Sequence, residues 1–467
     1  MNIQSIDGYR HQSMRLSAGD LSITRLGGVH MKASKYNFFF PYDADDNKLI
    51  AYNSLSNATA LMEKDKYKIY TDFCENGILI DDEMFVDQLK YGRFLVDDSC
   101  DELSELKMRL LKGRYDTTVM GLTIATTADC NFRCLYCYEK DAIKPVYMNE
   151  STENAILDMV KRQIKTLSSL MIVWYGGEPL MNMETFERLS RALINLCEEN
   201  EVLYDALVIT NGYLLTRDVA ELLRELKVGS VQITVDGVGD IHNRMRPLSD
   251  GSGTYDTIMK NLIDCKGVLP RVELRINTDK DNAIAYRDIV EFLKNNDLID
   301  FVLPYLGMIV SYNSYNVNGC FDACGFSKHD FDFYEEYLSE IPRMWRYPGM
   351  MSNFCTADAF NSHVIAADGK LYRCWKDMGN PEKCVGSILD SKLGATSEVF
   401  LKYVLFDVTE DEICNKCNFL PVCMGGCPHM RNEGFDLEQF ICSNSKFVLD
   451  KYLNITVNRK KERESVS

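Results

Sequence analysis

The sequence predicts an α/β protein: a strand–helix repeat with an α+β module before it and a cysteine-dense region after it. Three observations lead there. Between Thr118 and Met308, six β-rich runs alternate with helical runs. The first ~115 residues lack that alternation and read as strands and helices of their own. Ten of the 17 cysteines fall between Cys320 and Cys442, in irregular sequence. Strand–helix alternation implies parallel strands joined by right-handed crossovers, so six units make either an incomplete barrel or an open doubly wound sheet.

In the first module, residues 1–115, "KYNFFFPYD" and "KLIAYNSLS" read as two strands with "DADDN" as their turn. Helices are expected over "SNATALMEKDKYKIY" and "DDEMFVDQLKYG". "CDELSELKMRLLKGRYD" reads as an amphipathic helix with leucines at 103, 106, 110 and 111, leading into the next domain. In the second unit, residues 116–310, the strands are "TVMGLTIATT", "LMIVWYGG", "DALVITNG", "SVQITVDG", "RVELRINT" and "DFVLPYLGM". In such folds ligands bind at the carboxyl ends of the strands. The unusual residues fall at those ends: three cysteines after the first strand, "YGGEP" after the second, "TNG" after the third and "TVDG" after the fourth. The third unit, residues 311–450, is loop-rich and is expected to need inorganic cross-links to fold. Residues 451–467 form a charged tail, of which "NRKKERESVS" is expected to fray.

Bulk properties exclude some functions. A formal net charge of -17 argues against duplex DNA or a polyphosphate, which require a lysine and arginine surplus. No apolar run is long enough to span a membrane, and the start "MNIQSIDGYRHQSM" lacks a signal-peptide pattern. A cytoplasmic address is expected. There, thiols stay reduced, so 17 cysteines point to metal ligation rather than disulfides. Cys74, Cys100, Cys197 and Cys265 stand alone in regular segments and read as plain thiols.

Cys130, Cys134 and Cys137 have the spacing C-x3-C-x2-C. A structural zinc site needs four ligands, and no fourth cysteine or histidine lies nearby. Three thiolates suit a cube of four irons with one iron left open. This spacing, with Tyr136 before the last cysteine, resembles the signature of the radical S-adenosylmethionine (SAM) superfamily. "YGGEP" resembles its second motif: Gly176 and Gly177 let the backbone approach the cofactor closely, and Glu178 is placed to accept hydrogen bonds from the methionyl ammonium. The resemblance also puts Asn211, Thr234 and Asp236 near the ribose or methionyl end of SAM and pairs Arg275 with its carboxylate. A turn cap or a surface ion pair is the other reading of each.

The C-terminal spacing is C-x13-G-x4-C from Cys355 through Gly369 to Cys374, then C-x2-C-x5-C-x3-C from Cys414 through Cys417 and Cys423 to Cys427, then Cys442. This resembles the seven-cysteine SPASM domain. The resemblance implies two auxiliary four-iron clusters, a distal one on Cys414, Cys417, Cys423 and Cys442 and a nearer one on Cys355, Cys374 and Cys427. "RYPGMMSNF" holds no fourth cysteine for the nearer set, so either Cys320, Cys324 or Cys384 reaches in or one iron is open. With the cluster of the first loop, the expected cofactors are SAM and three four-iron clusters.

The resemblance runs from about residue 118 to about residue 450 and implies a partial (β/α)6 barrel and an enzyme. The N-terminal module resembles leader-binding domains of peptide maturases, which add a precursor's leader as a strand to a sheet edge; a structural cap on the barrel is the alternative. Anaerobic sulfatase maturases share the SPASM domain, but typically carry an aspartate base after the G-x4-C cysteine. Here Trp375 stands there, with Asp377 two residues on. The expected function is therefore a peptide maturase that joins a cysteine sulfur to carbon in a ribosomal, cysteine-rich precursor, fed by a low-potential electron donor. Carbon–carbon cross-linking, epimerisation or sulfatase-maturase-like oxidation is the alternative. A non-catalytic electron-transfer protein is disfavoured by the cysteine loop together with Gly-Gly-Glu.

Overall fold

The computed structural model describes residues 4–5, 24–26, 29–311, 315–316, 318–344, 346–390 and 397–466. The stretch read for a signal peptide lies mostly outside them.

The N-terminal part holds β1 (Gln4–Ser5), β2 (Thr24–Leu26), β3 (Val29–Ala33), β4 (Asn37–Pro41), β5 (Lys48–Asn53), β6 (Ala58–Glu63), α1 (Lys64–Asn76), α2 (Glu83–Tyr91), β7 (Leu95–Asp97) and α3 (Glu102–Arg114). Its strands form two sheets, ordered β1-β6-β5-β4 and β2-β3-β7. The expected hairpin is β4–β5, paired antiparallel from Asn37–Asn53 to Pro41–Leu49. The helix expected over residues 56–70 is corrected: its first half is strand β6. Asn57 takes a positive φ of 65° that turns the chain back, and Ala58, Thr59, Ala60 and Met62 then bury against β5. A short apolar run does not distinguish strand from helix by periodicity alone.

The central part alternates β8 (Val119–Ala125), α4 (Glu150–Gln163), β9 (Ser169–Tyr175), α5 (Met183–Glu198), β10 (Leu203–Thr210), α6 (Arg217–Glu225), β11 (Val228–Thr234), α7 (Asp240–Met245), α8 (Tyr255–Asp264), β12 (Val272–Thr278), α9 (Tyr286–Asn295) and β13 (Val302–Met308). All six expected strands form, and they pair in parallel in chain order. That order lacks the reversal of a doubly wound sheet, so the winding is that of an incomplete barrel. Several helices start on side-chain caps: Asn149 accepts from the Thr152 amide and Thr216 from the Val219 amide. Trp174, Ile172, Leu193 and Val231 lie in the core between sheet and helices.

The C-terminal part holds α10 (Ala323–Tyr337), β14 (Ser362–Ile365), β15 (Lys370–Tyr372), β16 (Gly386–Ser387), α11 (Glu398–Val404), α12 (Leu420–Cys423), α13 (Pro428–Asn432) and α14 (Leu449–Val466). It is not a free-standing unit. β14 pairs in parallel with β8, and β15 and β16 follow, so the large sheet reads β13-β12-β11-β10-β9-β8-β14-β15-β16. The stretch carrying Gly369 and Cys374 is thereby fixed to the first barrel strand. Helix α14 opens the charged tail, and its first turns, ahead of the stretch expected to fray, are packed. Leu449, Leu453 and Val457 pack on Phe38, Phe40 and Tyr42 of the N-terminal part. Asn454 donates to the Pro41 carbonyl at 3.2 Å and accepts from the Asp43 amide at 2.9 Å.

The expected amphipathic helix is α3, and it does more than connect. Leu106 and Leu110 bury against Val408, Leu420 and Met424 of the C-terminal part. Within the module, fully buried Asn53 ties the turns together. Its amide nitrogen donates to Ser34, Asn37 and the Arg93 carbonyl, and its oxygen accepts from the amides of Leu55 and Ser56. Removing it leaves several buried groups unpaired. Asn53→Ala is expected to cost about 3 kcal/mol, read as a lower thermal midpoint and faster proteolysis within residues 30–115; an unchanged midpoint would contradict this account.

Candidate active site

The three-cysteine loop leaves β8 and is strapped from two sides. From one side, Gly177 donates its amide to the Thr127 carbonyl at 3.2 Å and Glu178 to the Asp129 carbonyl at 2.9 Å. From the other, the segment after α7 runs along the loop. Arg133 donates to the Pro247 carbonyl, Leu135 to that of Met245, and Ser249 to that of Asn131. The loop's sulfurs share one neighbourhood: Cys134 and Cys137 both act electrostatically on Cys130. The Phe132 amide points at the Cys130 sulfur, 3.4 Å away. Burial pushes the Cys130 thiol well up, and the Glu178 carboxylate adds to the shift.

The two glycines let the backbone pack closely. Gly176 has φ of 113°, and a Cβ on Gly177 would overlap the Asp129 carbonyl. What they approach in this structure is the cysteine loop's own backbone. Glu178 is fully buried and ties the ends of β9 and β10 together. It accepts from the Leu180 amide at 3.0 Å, the Thr210 hydroxyl at 2.7 Å and the Asn211 amide at 2.7 Å. A carboxylate offers about four acceptor directions, so one remains. Asn211 in turn donates to Asn131 in the cysteine loop at 2.7 Å.

Tyr136 is the hub of the polar side. Its hydroxyl donates to Asp236 at 2.5 Å and accepts from Arg246 at 2.7 Å and from Asn277 at 2.9 Å. Burial pushes Asp236 up to about 6, against the pull of Arg246 and the Tyr136 hydrogen bond. One Asp236 oxygen has no hydrogen-bond partner among the described residues. Thr234 is buried at the end of the same strand. Arg275 is held by Asn277 at 2.7 Å and lies over the Tyr305 ring, 5.9 Å from its centroid. A cavity of about 440 Å³ adjoins, lined by Leu135, Arg244, Met245, Asp279, Asn282 and Tyr315.

Arg246 and Asn277 were not legible as site residues. Arg246 is 8% exposed, lies 5.8 Å over the Phe132 ring, and acts on Cys134. The one signal was the position of "HNRMRPLSD" directly after the TVDG strand end.

Electrostatic neighbours link some of the C-terminal cysteines to one another. Cys355 and Cys427 both act on Cys374, and Lys376 responds to Cys427 and Cys374. Cys417 and Cys423 act on Cys442, and Cys423 acts on Cys414. Several sulfurs have donors aimed at them: the Ala357 amide at Cys355 (3.5 Å), Arg431 at Cys414 (3.1 Å) and Lys446 at Cys442 (3.6 Å). Such donors favour thiolate ligands. Among the described residues, no three His, Cys, Asp or Glu side chains converge as for a single ion; a cube spreads its ligands over its corners. Of the candidate extra ligands, Cys320 has Asp279 and Lys280 as charged neighbours, and Cys384 points at the Gly386 carbonyl, 3.2 Å away.

Between the two regions stands an aromatic wall. Trp375 stacks on Tyr175, with ring centroids 5.2 Å apart and planes 19° apart, and Tyr175 is hydrogen-bonded to Tyr138. Asp377 is buried and committed. It accepts from Tyr403 at 2.8 Å and pairs with His429 at 3.0 Å.

The radical SAM superfamily model matches residues 124–293. The chain is similar to the radical SAM cyclopropyl synthase TigE of Paramaledivibacter caminithermalis, 21% identical over 439 residues, which span 82% of this chain and 87% of that protein. It is 25% identical over 370 residues to a cysteine-type anaerobic sulfatase-maturating enzyme of Clostridium perfringens, spanning 72% and 97% of the two. A probable GTP 3',8-cyclase of Archaeoglobus fulgidus is 33% identical over 291 residues, spanning 57% of this chain and 88% of the cyclase. Two solved structures share the fold. Native anSMEcpe with bound AdoMet aligns with a TM-score of 0.57 at 20% identity, over 72% of this chain and all (100%) of that one. Streptococcus suis SuiB bound to precursor peptide SuiA aligns with a TM-score of 0.51 at 14% identity, over 89% and 99%.

The family implies SAM and a four-iron cluster. A side chain on Gly177 has no space without moving residues 127–129. Gly177→Ala is therefore expected to lose the iron bound at the first loop, measured as iron and sulfide per chain after anaerobic reconstitution; full iron content would contradict the packing account. Matched by the family model over residues 124–293 and by a relative at one-third identity over most of that relative's length, the chain is an enzyme of the radical SAM superfamily.

Proposed function

We propose that the enzyme is a radical SAM peptide maturase that closes a thioether between a cysteine sulfur and a carbon of a ribosomally made, cysteine-rich precursor. Cys130, Cys134 and Cys137 would hold the SAM-binding cluster, which with SAM supplies a deoxyadenosyl radical able to take hydrogen from carbon. The Phe132 amide aimed at the Cys130 sulfur and the half-buried setting of the three cysteines fit that group. Glu178 keeps one acceptor direction for the methionyl ammonium. Asn211, Thr234, Asp236, Arg246 and Arg275 line the polar side where the remaining SAM groups would be oriented. The Tyr138–Tyr175–Trp375 wall would keep water from the reacting carbon. Cys355, Cys374 and Cys427, and Cys414, Cys417, Cys423 and Cys442, would carry the two auxiliary clusters of a SPASM domain.

The observation that carries the peptide reading is the described part of the N-terminal module, whose residues 35–110 contact the cysteine-rich part. The likeness to SuiB extends over 89% of the chain, against 72% for anSMEcpe. A leader strand would add to the β6 side, paired only with Gln4–Ser5 among the described residues. The β4 edge is closed, because Asn418 and Asn454 donate to the Asn37 and Pro41 carbonyls. The net charge of -17 suits a peptide rather than nucleic acid, and no helix among the described residues is long and apolar enough to cross a membrane. A cytoplasmic address with an external low-potential donor belongs to the same proposal.

Sulfatase-maturase-like oxidation is the second reading, favoured by the Clostridium relative. Against it stands Asp377, whose carboxylate is engaged by Tyr403 and His429 rather than free to act as a base. Anaerobic incubation with SAM and dithionite is expected to give deoxyadenosine, and Cys130→Ala to reduce it to background; full cleavage in that variant contradicts the role of the loop. With a precursor, the thioether reading requires a two-hydrogen mass loss and a peptide thiol closed to alkylation. A new cross-link with every thiol still reactive would favour the carbon–carbon alternative.

A further inference from the structure

The distal cysteine set is walled on one side by the N-terminal module. Lys35 donates its ammonium to the Asn415 carbonyl, between Cys414 and Cys417, and acts electrostatically on Cys417. Ser54 donates to the Asn418 carbonyl at 2.5 Å, just beyond Cys417. Tyr36, fully buried, packs with Cys414, Leu420 and Met424. The turn that presents Lys35 is itself fixed. Glu102 on α3 accepts from the Ser34 hydroxyl at 2.5 Å and from the Lys35 amide at 2.9 Å.

Two further cations face the same sulfurs from the C-terminal part. Arg431 reaches Cys414 at 3.1 Å and is tied to Asp411 at 3.3 Å. Lys446 reaches Cys442 at 3.6 Å and also acts on Cys417. Four thiolates around an iron–sulfur cube make a buried anion whose charge grows by one on reduction. Nearby fixed cations lower the cost of burying it and favour the reduced form. Two of the three cations come from residues close in sequence to the ligands. Lys35 comes from about 380 residues away, and its position depends on module docking.

We propose that the N-terminal module completes the distal cluster site, with Lys35 as the positioning cation that raises the cluster's reduction potential and makes module docking and iron occupancy stabilise each other. This rests on reading Cys414, Cys417, Cys423 and Cys442 as a cluster site.

The test uses the full chain, anaerobically reconstituted, with Cys130, Cys134 and Cys137 replaced by alanine so that only C-terminal iron contributes. The distal signal is the one that Cys442→Ala removes from an electron paramagnetic resonance redox titration. Lys35→Met is expected to move that signal to lower potential, Lys35→Arg to keep it near the parent, and Lys32→Met, in the same module but bonded to the Asp98 carbonyl, to leave it unmoved. Where Lys35→Met loses iron instead, restoration by Lys35→Arg supports the proposal and loss in both overturns it. Hydrogen exchange gives the reciprocal reading: Cys442→Ala is expected to lower amide protection across Ser34–Tyr36. An unmoved signal with full iron in Lys35→Met, or unchanged protection in Cys442→Ala, overturns the proposal alone. If Cys442→Ala removes no iron, the cluster reading of the distal set falls and the proposal with it.

Discussion

The backbone of residues 127–129 lies so close to Gly176 and Gly177 that neither position has room for a side chain, and the site is arranged around that contact. It sets how the cysteine loop leaves β8 and where the end of β9 meets it. Glu178 follows directly and gathers the starts of the next two connections, through the Leu180 amide and the Thr210 and Asn211 groups. The loop's far side is fixed by backbone bonds to residues 245–249. The protein itself sets the loop's shape. Here it does so mainly with main-chain hydrogen bonds, which side-chain variation disturbs least.

Charge is the second constraint. The chain carries a net -17, yet cations are brought to sulfur at each cysteine set: Arg246 at the first loop, Lys376 at the nearer C-terminal set, and Arg431, Lys446 and Lys35 at the distal set. Thiolate sets in a low-dielectric interior need such compensation. The surplus of carboxylates is mostly elsewhere, on exposed helix faces where salt bridges such as Arg217–Glu221 and Lys260–Asp264 contribute little.

The three regions are also mechanically joined. β14 extends the barrel sheet beside β8, so Cys374 is positioned by the same sheet that positions Cys130. Helix α14 returns to cover β4, and α3 packs under the segment carrying Cys414 and Cys423. Substrate held between the first loop and the nearer C-terminal set would thus lie between parts of one sheet, with the Tyr175–Trp375 stack crossing the junction.

The sequence by itself determined the spacing of the cysteines, the six parallel strands and the strand ends at which the unusual residues fall. Those are local quantities: ligand spacing is set by the few residues between cysteines, and strand–helix alternation by short-range hydrophobic pattern. It misread residues 58–63, where the pairing partner β5 rather than local periodicity selects strand, and it gave no sign that the start of α14 covers an apolar face about 400 residues away. What only the tertiary structure decided are the contacts between distant segments. Arg246 and Asn277 meet at Tyr136, Asp377 is taken by Tyr403 and His429, the glycines face the cysteine loop, and Lys35 reaches the Asn415 carbonyl between Cys414 and Cys417. A linear pattern carries no record of which remote side chain will share a buried volume. That is settled when sheet order and packing bring the segments together.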